Sequence, residues 1–248
     1  MSGSYDQNAY LEGYPEGIDQ HFWHLARNDF LLRSLQQLLG AGELVLDVGC
    51  GMGITTAFLR KNDINCRGVE LGEPPVGDAV RDYIYTGTNV FELPEQLRQE
   101  VRVVLLLDVL EHIEERTQFL AQLRRALPNC RFLLLTVPAR QELWSNYDDY
   151  WGHQLRYSRP GLKQELELSG YHVVSSRYLF HSIYWLALLL NLLRVRRSVK
   201  FTSPSRNPLI LGLHRILGFW AGLENRFFPG ALVGSTLVSL AEVNPSDV

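Results

Sequence analysis

Apolar residues in this chain gather into short runs separated by polar, glycine- or proline-containing stretches. Leu44 to Val48 and Val101 to Leu107 are nearly unbroken, which is how strands buried on both faces of a parallel sheet read. Cys66-Arg-Gly-Val-Glu70-Leu71 reads as another strand, Asp82 to Gly87 as a candidate third, and Arg131 to Val137 as a fifth that ends at Pro138. Helical stretches alternate with them. Phe22, Leu25, Leu32, Leu35 and Leu39 fall near helical spacing before Gly40 and Gly42, a helix restarts at Thr55–Arg60, and another closes at Ala126. Pro74, Pro75 and Gly77 leave a short or absent helix before the third strand. This alternation predicts a doubly wound sheet, in which ligands bind at the carboxyl ends of the strands. Asp47, Glu70 and Asp108 all stand at such ends.

The latter half carries more than a minimal sheet needs. Gly170 to Arg177 reads as a sixth strand and Leu232 to Ala241 as a seventh, with roughly 50 residues between them, well beyond an ordinary connection. Ile183 to Leu193 and Pro208 to Leu223 are helix-like and apolar, split by Arg194-Val-Arg196-Arg197. The expected organisation is an N-terminal arm and helix (1–42), a central domain (43–177 with 231–244) and a helical cap (178–230) that shapes a substrate site. The tail up to residue 17, with Tyr5, Tyr10 and Tyr14, reads as an arm that either covers a pocket or is plain surface. Leu179 to Leu193 is shorter than the roughly 20 residues that span a bilayer. An interfacial helix followed by Arg194, Arg196, Arg197 and Lys200 is the alternative to a buried cap, and a surface that receives a lipid-linked substrate reconciles the two.

Composition narrows the class. Hydrophobic residues are 46% and charged residues 21% of the chain, with a net charge of −3. That is an ordinary soluble globule with no general attraction to nucleic acid. Cys50, Cys66 and Cys130 are scattered, without a Cys-x-x-Cys pair, and suit a reduced cytoplasm. Met-Ser-Gly-Ser-Tyr-Asp lacks the basic and apolar regions of a secretory signal.

The loop after the first run is the chemical centre of the sequence. In Asp47-Val-Gly49-Cys50-Gly51-Met-Gly53-Ile54, a strand breaks into glycines and restarts as a helix, offering backbone N–H groups to a ligand. Ile54 stands where a dinucleotide fingerprint requires its third glycine, and no Lys-Ser/Thr pair follows, so neither that fingerprint nor a Walker loop is present. Glu70, 17 residues past Gly53, is placed to accept two hydrogen bonds from a ribose diol.

Asp-x-Gly-x-Gly-x-Gly after strand one closely resembles motif I of the class I S-adenosylmethionine-dependent methyltransferases. Together with Glu70 and Asp108-x-x-Glu111-His112, the resemblance covers roughly residues 20–180. It implies a Rossmann-like, seven-stranded α/β sheet of order 3-2-1-4-5-7-6 with strand 7 antiparallel, the helical insertion falling between strands 6 and 7. It implies S-adenosylmethionine as cofactor, with S-adenosylhomocysteine as product. Asp47, Gly49, Gly51 and Gly53 would face its methionine moiety and Glu70 its ribose. Asn89 and Val90 stand where the family contacts the adenine, Asp108 lies near its amino acid end, and Cys50 and Leu71 are further cofactor-binding candidates.

Candidates for deprotonating an acceptor are Glu111, His112 and His153. His153 lies in Asp148-x-x-x-Gly152-His153-x-x-Arg156-Tyr157-Ser158, similar to a pattern found after strand five in small-molecule methyltransferases from biosynthetic operons. Imidazoles titrate in the range that general base work requires. Asp108, Glu111, His112 and His153 also form a donor set that could gather a divalent cation. Small-RNA 2′-O-methyltransferases carry a Glu-x-x-Glu-His motif and a later His for magnesium, and ubiquinone-pathway O-methyltransferases have a similar Glu-His segment. Here Asp replaces the first Glu, and no basic surface interleaved with aromatics is present, so RNA is not the expected substrate. His21, Trp23, His24, Arg27, Arg140 and Trp144 are candidate pocket walls. The expectation is a cytoplasmic enzyme that methylates a small molecule, preferably at a hydroxyl of a sugar, lipid-linked intermediate or secondary metabolite. Asn/Asp-Pro-Pro-Tyr/Phe is absent after strand four, which argues against amino-group methylation of adenine or glutamine. The rival from another class is a non-catalytic S-adenosylmethionine-binding protein.

Overall fold

The computed structural model describes residues 7–200 and 207–243. Tyr5 lies outside them. Within the expected arm, helix α1 (Gln7–Gly13) forms and leads to α2 (Phe22–Leu38). There follow β1 (Leu44–Val48), α3 (Ile54–Lys61), β2 (Cys66–Val69), β3 (Ile84–Tyr85), α4 (Glu95–Glu100), β4 (Val101–Leu107), α5 (Arg116–Ala126) and β5 (Phe132–Pro138). The rest comprises α6 (Asn146–Trp151), α7 (Arg159–Leu168), β6 (Tyr171–Leu179), α8 (His181–Leu192), α9 (Pro208–Phe227) and β7 (Thr236–Val243).

The seven strands form one sheet of order β3-β2-β1-β4-β5-β7-β6. β7 runs antiparallel to both of its neighbours, and the other pairings are parallel. This is the order and the reversed strand that the resemblance implies. The unbroken apolar runs are the central strands because both faces of the sheet are covered. Val45 and Leu105 point into one core cluster and their neighbours Leu46 and Leu106 into the other. The third strand is shorter than its apolar run, since Arg81–Tyr83 forms a single tight turn and only Ile84 and Tyr85 pair with β2.

Helix α2 departs from the simple apolar stripe. Ala26, Leu31 and Leu35 are buried, and so are His24, Arg27 and Asn28. His24 and Arg27 of this face line the cavity, where Arg27 donates to Asp108 and Thr55, and Asn28 Oδ1 accepts from the Thr55 hydroxyl beside them. The insertion between β6 and β7 folds as the two helices expected. Gly218 of α9 meets α2 so closely that a Cβ would lie 3.1 Å from Leu25 Cβ. Buried Glu224 joins the two insertion helices by accepting from the Ser182 backbone N–H at 2.8 Å and from the Ser182 hydroxyl. Among the described residues, no helix is long and apolar enough to cross a membrane.

Candidate active site

The loop between β1 and α3 is built from left-handed glycines. Gly49 and Gly51 have φ of 74° and 55°, a region that side chains other than glycine rarely adopt. Gly51 lines the cavity, and the nearest atoms to a Cβ there would be those of the Tyr14 side chain, at 3.3 Å. Gly53 has another job. It sits at the N-cap of α3 with φ 79°, a Cβ on it would come within 2.1 Å of Ile84 Cδ1, and it does not line the cavity. Of the three glycines expected to face a ligand, Gly49 and Gly51 line the cavity, and Gly53 instead lets β3 pack on the loop. Asp47 is buried beneath them, accepting from the Thr56 hydroxyl at 2.9 Å, and burial lifts its pKa to about 6.

Glu70 follows the end of β2. One carboxylate oxygen accepts from the Gly51 N–H at 2.8 Å, and the other from the Gly72 N–H at 3.1 Å and the Tyr10 hydroxyl at 3.0 Å. The strand-end acid is thus braced by the glycine loop it serves. Tyr10 and Tyr14 lie over that loop, with Tyr14 among the cavity walls, so the N-terminal segment covers the site. Leu71, Asn89 and Val90 line the same end.

Asp108, at the end of β4, has φ 56°, a strained backbone for a residue other than glycine, although Asp tolerates it better than most. Its carboxylate accepts from Arg27 Nη1 at 2.7 Å, and Arg27 Nη2 donates to Thr55 Oγ1 at 3.0 Å. Burial raises the Asp108 pKa against the pull of Arg27.

The opposite end is organised by Asp148. Ser145 and Asp148 form a capping box at the start of α6, and Gly152, left-handed at φ 71°, ends that helix and turns the chain back. His153 then returns to Asp148: its Nδ1 lies 2.8 Å from Asp148 Oδ1, and Arg156 Nε donates to the same oxygen at 2.8 Å. Burial alone would raise the Asp148 pKa, but His153 and Arg156 hold it below the usual carboxylate range. The His112 ring packs edge-on against His153, with centroids 4.9 Å apart. Burial, then the neighbouring His153, lowers the His112 pKa to about 4.

Glu111 is fully buried, and neither of its carboxylate oxygens has a hydrogen-bond partner among the described residues. Burial, then the charge of Asp108, pushes its pKa well up. Ligand atoms of Glu111, His112 and His153 all lie within 4.8 Å of one another, a set fitted to a divalent cation. Asp108, the fourth candidate, is not part of this cluster and is engaged by Arg27.

One cavity of about 1080 Å³ runs between these two ends. It takes in Asp47, Gly49, Cys50, Gly51, Glu70, Leu71, Asn89, Val90, Asp108, Glu111, His112 and His153. That is room for a nucleoside-sized ligand and a small acceptor together. His21, Trp23, His24 and Arg27 also line it, whereas Arg140 and Trp144 do not: Arg140 pairs with Glu142 and Trp144 Nε1 donates to Asp149 at 2.9 Å. The roles of Tyr10, Asp148 and Arg156 were not assigned from sequence. Ser145-x-x-Asp148 followed by Gly152-His153 was the available signal for the last two. Tyr147, Ile183 and Ala187 are further walls that sequence did not single out.

The ubiquinone biosynthesis O-methyltransferase of Dechloromonas aromatica (strain RCB) is 38% identical over 80 residues, covering 29% of this chain and 34% of that protein. That of Pseudomonas aeruginosa (strain UCBPP-PA14) is 28% identical over 105 residues, covering 39% and 45%. The aligned stretches thus span less than half the length of these curated relatives. Among solved structures, the fold is shared with the 1,6-didemethyltoxoflavin-N1-methyltransferase of Burkholderia thailandensis, bound to 1,6-didemethyltoxoflavin and S-adenosylhomocysteine. The TM-score is 0.56 at 17% identity, over 98% of this chain and 92% of that one. It is shared too with the magnesium protoporphyrin IX methyltransferase of Synechocystis PCC 6803 with bound S-adenosylhomocysteine, with a TM-score of 0.55 at 16% identity over 96% and 92%. Residues 22–176 match the methyltransferase-domain family. With its glycine loop, strand-end acids and reversed seventh strand in place, the chain belongs to that methyltransferase-domain family.

Proposed function

We propose that this methyltransferase methylates a hydroxyl of a small molecule, with His153 as the general base. When bound, S-adenosylmethionine supplies an electrophilic methyl group on a sulfonium. The glycine cradle and the Glu70 carboxylate fit its methionine and ribose parts, since a side chain at Gly51 would fill the space the ligand needs. The acceptor occupies the end walled by Tyr147, Ile183 and His153. As the new C–O bond forms and the S–CH3 bond breaks, the hydroxyl proton passes to His153 Nε2. Asp148 favours the tautomer that donates from Nδ1, which leaves Nε2 free to accept, and stabilises the imidazolium that results. The observation that carries this reading is the 2.8 Å Asp148–His153 contact in the wall of the cavity that also holds Glu70. The kinship with O-methyltransferases favours oxygen as the acceptor atom. The test is a library of hydroxylated metabolites incubated with the enzyme and S-adenosylmethionine, with methylated products read by mass spectrometry. Methyl transfer to nitrogen or carbon only would overturn the hydroxyl assignment. Tight S-adenosylmethionine binding with no transfer to any acceptor would favour a non-catalytic binding protein.

A second reading rests on the partnerless Glu111 carboxylate beside His112 and His153. These three residues would hold a divalent cation, with Asp148 orienting His153 from behind. Such a cation would lower the pKa of a bound hydroxyl. Metal analysis of the purified enzyme and activity after chelation test it. Full activity in the absence of metal would dismiss it.

A further inference from the structure

The insertion between β6 and β7 shows two different sides. On α8, Tyr184 and Ala187 are buried, and Ile183 and Ala187 line the cavity. The other side carries Trp185, Leu186, Leu189, Leu192 and Leu193, three or four residues apart or adjacent, and all exposed. Trp185 is 62% and Leu192 73% exposed. On α9, Gly218 and Ala221 face the protein, while Leu209, Leu213, Ile216, Trp220 and Phe227 face outwards. Leu209 is 82% and Trp220 63% exposed. Soluble monomers rarely leave so many large apolar side chains on two helices uncovered.

The charge around this surface selects its partner. Between Glu167 and Glu224 the sequence contains no acidic residue, although the whole chain is net −3. Glu224 itself is buried against Ser182. Arg194, Arg196 and Arg215 are exposed, with no acidic partner among the described residues. A second copy of the chain docked symmetrically on this face would bring these same cations together, which like-charge repulsion opposes. Anionic lipid headgroups complement them. Tryptophans at a face of leucines and phenylalanines suit the boundary between headgroups and acyl chains, and neither helix is long and apolar enough to cross a bilayer.

We propose that the outward face of α8 and α9 docks on an anionic lipid bilayer, both helices lying in its interface. The side of α8 opposite the membrane then forms a wall of the cavity, so bilayer and active site share one helix. The docking stands independently of which acceptor is methylated.

The experiment is sedimentation of the full chain with vesicles of phosphatidylcholine alone, or mixed in equal parts with phosphatidylglycerol. The protein is expected to bind the anionic vesicles, with a blue shift of tryptophan emission. Binding should fall as salt is raised to about 1 M, where charges are screened within about 3 Å. Arg194→Glu with Arg196→Glu should weaken partition by roughly tenfold or more. Trp185→Ser with Trp220→Ser should weaken it further and abolish the blue shift. Unchanged melting and S-adenosylmethionine affinity in both double variants certify that they fold. Failure to bind anionic vesicles at low salt would overturn the proposal, as would equal binding by these folded variants. A stable dimer by light scattering that ignores vesicles would assign the face to a second copy instead.

Discussion

His153 and Arg156 converge on a single oxygen of Asp148, each at 2.8 Å. A stretch from Asp148 in α6 to Arg156 beyond it thereby fixes the imidazole of His153 in the cavity wall, where it is proposed to act as the base. The expected consequence is separable. His153→Gln should lower kcat by about 10²–10⁴ while leaving S-adenosylmethionine affinity unchanged, as measured by steady-state kinetics and calorimetry. Asp148→Asn should lower kcat as well and also destabilise the fold by about 3 kcal/mol, because Arg156 loses its buried counter-charge. A kcat indifferent to His153 would remove it from the chemistry.

Glu70, proposed to meet the ribose, is tied to the glycine loop by accepting from the Gly51 N–H. Glu70→Ala should weaken S-adenosylmethionine binding roughly 10- to 100-fold, the range for losing hydrogen bonds to a charged acceptor. Calorimetric titration reads this directly, and unchanged affinity would sink the cofactor assignment of this residue.

The glycines of the loop should divide by effect. Gly51→Arg fills the cradle and is expected to abolish S-adenosylmethionine binding. Gly53→Ala places a methyl group against Ile84 and should cost about 1–3 kcal/mol of stability through overpacking and backbone strain. Melting curves alongside calorimetry separate the two. Because both glycines are left-handed, both variants lose stability, and a loss of affinity in Gly53→Ala as complete as that in Gly51→Arg would contradict the division.

Glu111 supplies a pH test. Its folded pKa is raised above the unfolded value, so the folded protein without ligands retains a proton that the unfolded chain gives up. That contribution to stability is complete below the ordinary carboxylate range and is lost as pH rises through the higher folded value. Glu111→Gln cannot ionise, so its melting temperature relative to the parent should improve from pH 5 to pH 8, both proteins being stripped of metal. A difference that stays flat across that range would show that Glu111 ionises freely. For Asp47, raised by burial to about 6, the same sign applies, and the corresponding loss of stability falls between about pH 4 and 6.

Much of the cofactor end was legible because its determinants are local. A buried strand, an acid at its end and glycines two apart occupy consecutive positions, so their spacing along the chain survives folding. Asp47, Gly49, Gly51, Glu70 and Asp108 all reach the cavity for this reason. Gly53 shows the limit of such patterns. Motif spacing marks a position that tolerates no side chain, but only the Ile84 methyl, 2.1 Å from where a Cβ on Gly53 would sit, tells that packing, rather than a ligand, imposes the demand. Likewise, helical spacing in α2 announced an apolar stripe but not the buried Arg27, whose partner Asp108 lies 81 residues away.

The sequence by itself determined the class of sheet, its order through family resemblance, and the acids at its strand ends, since strand burial and loop chemistry are written within a few residues. Tertiary structure decided what depends on crossings between distant segments. It brought His112 of the turn after β4 against His153 after α6, left Glu111 buried without a partner, and laid Tyr10 on Glu70. It also decided which side of each insertion helix packs inward. Hydrophobicity declares that a helix has apolar surface, but only the positions of its neighbours determine how much of that surface remains exposed.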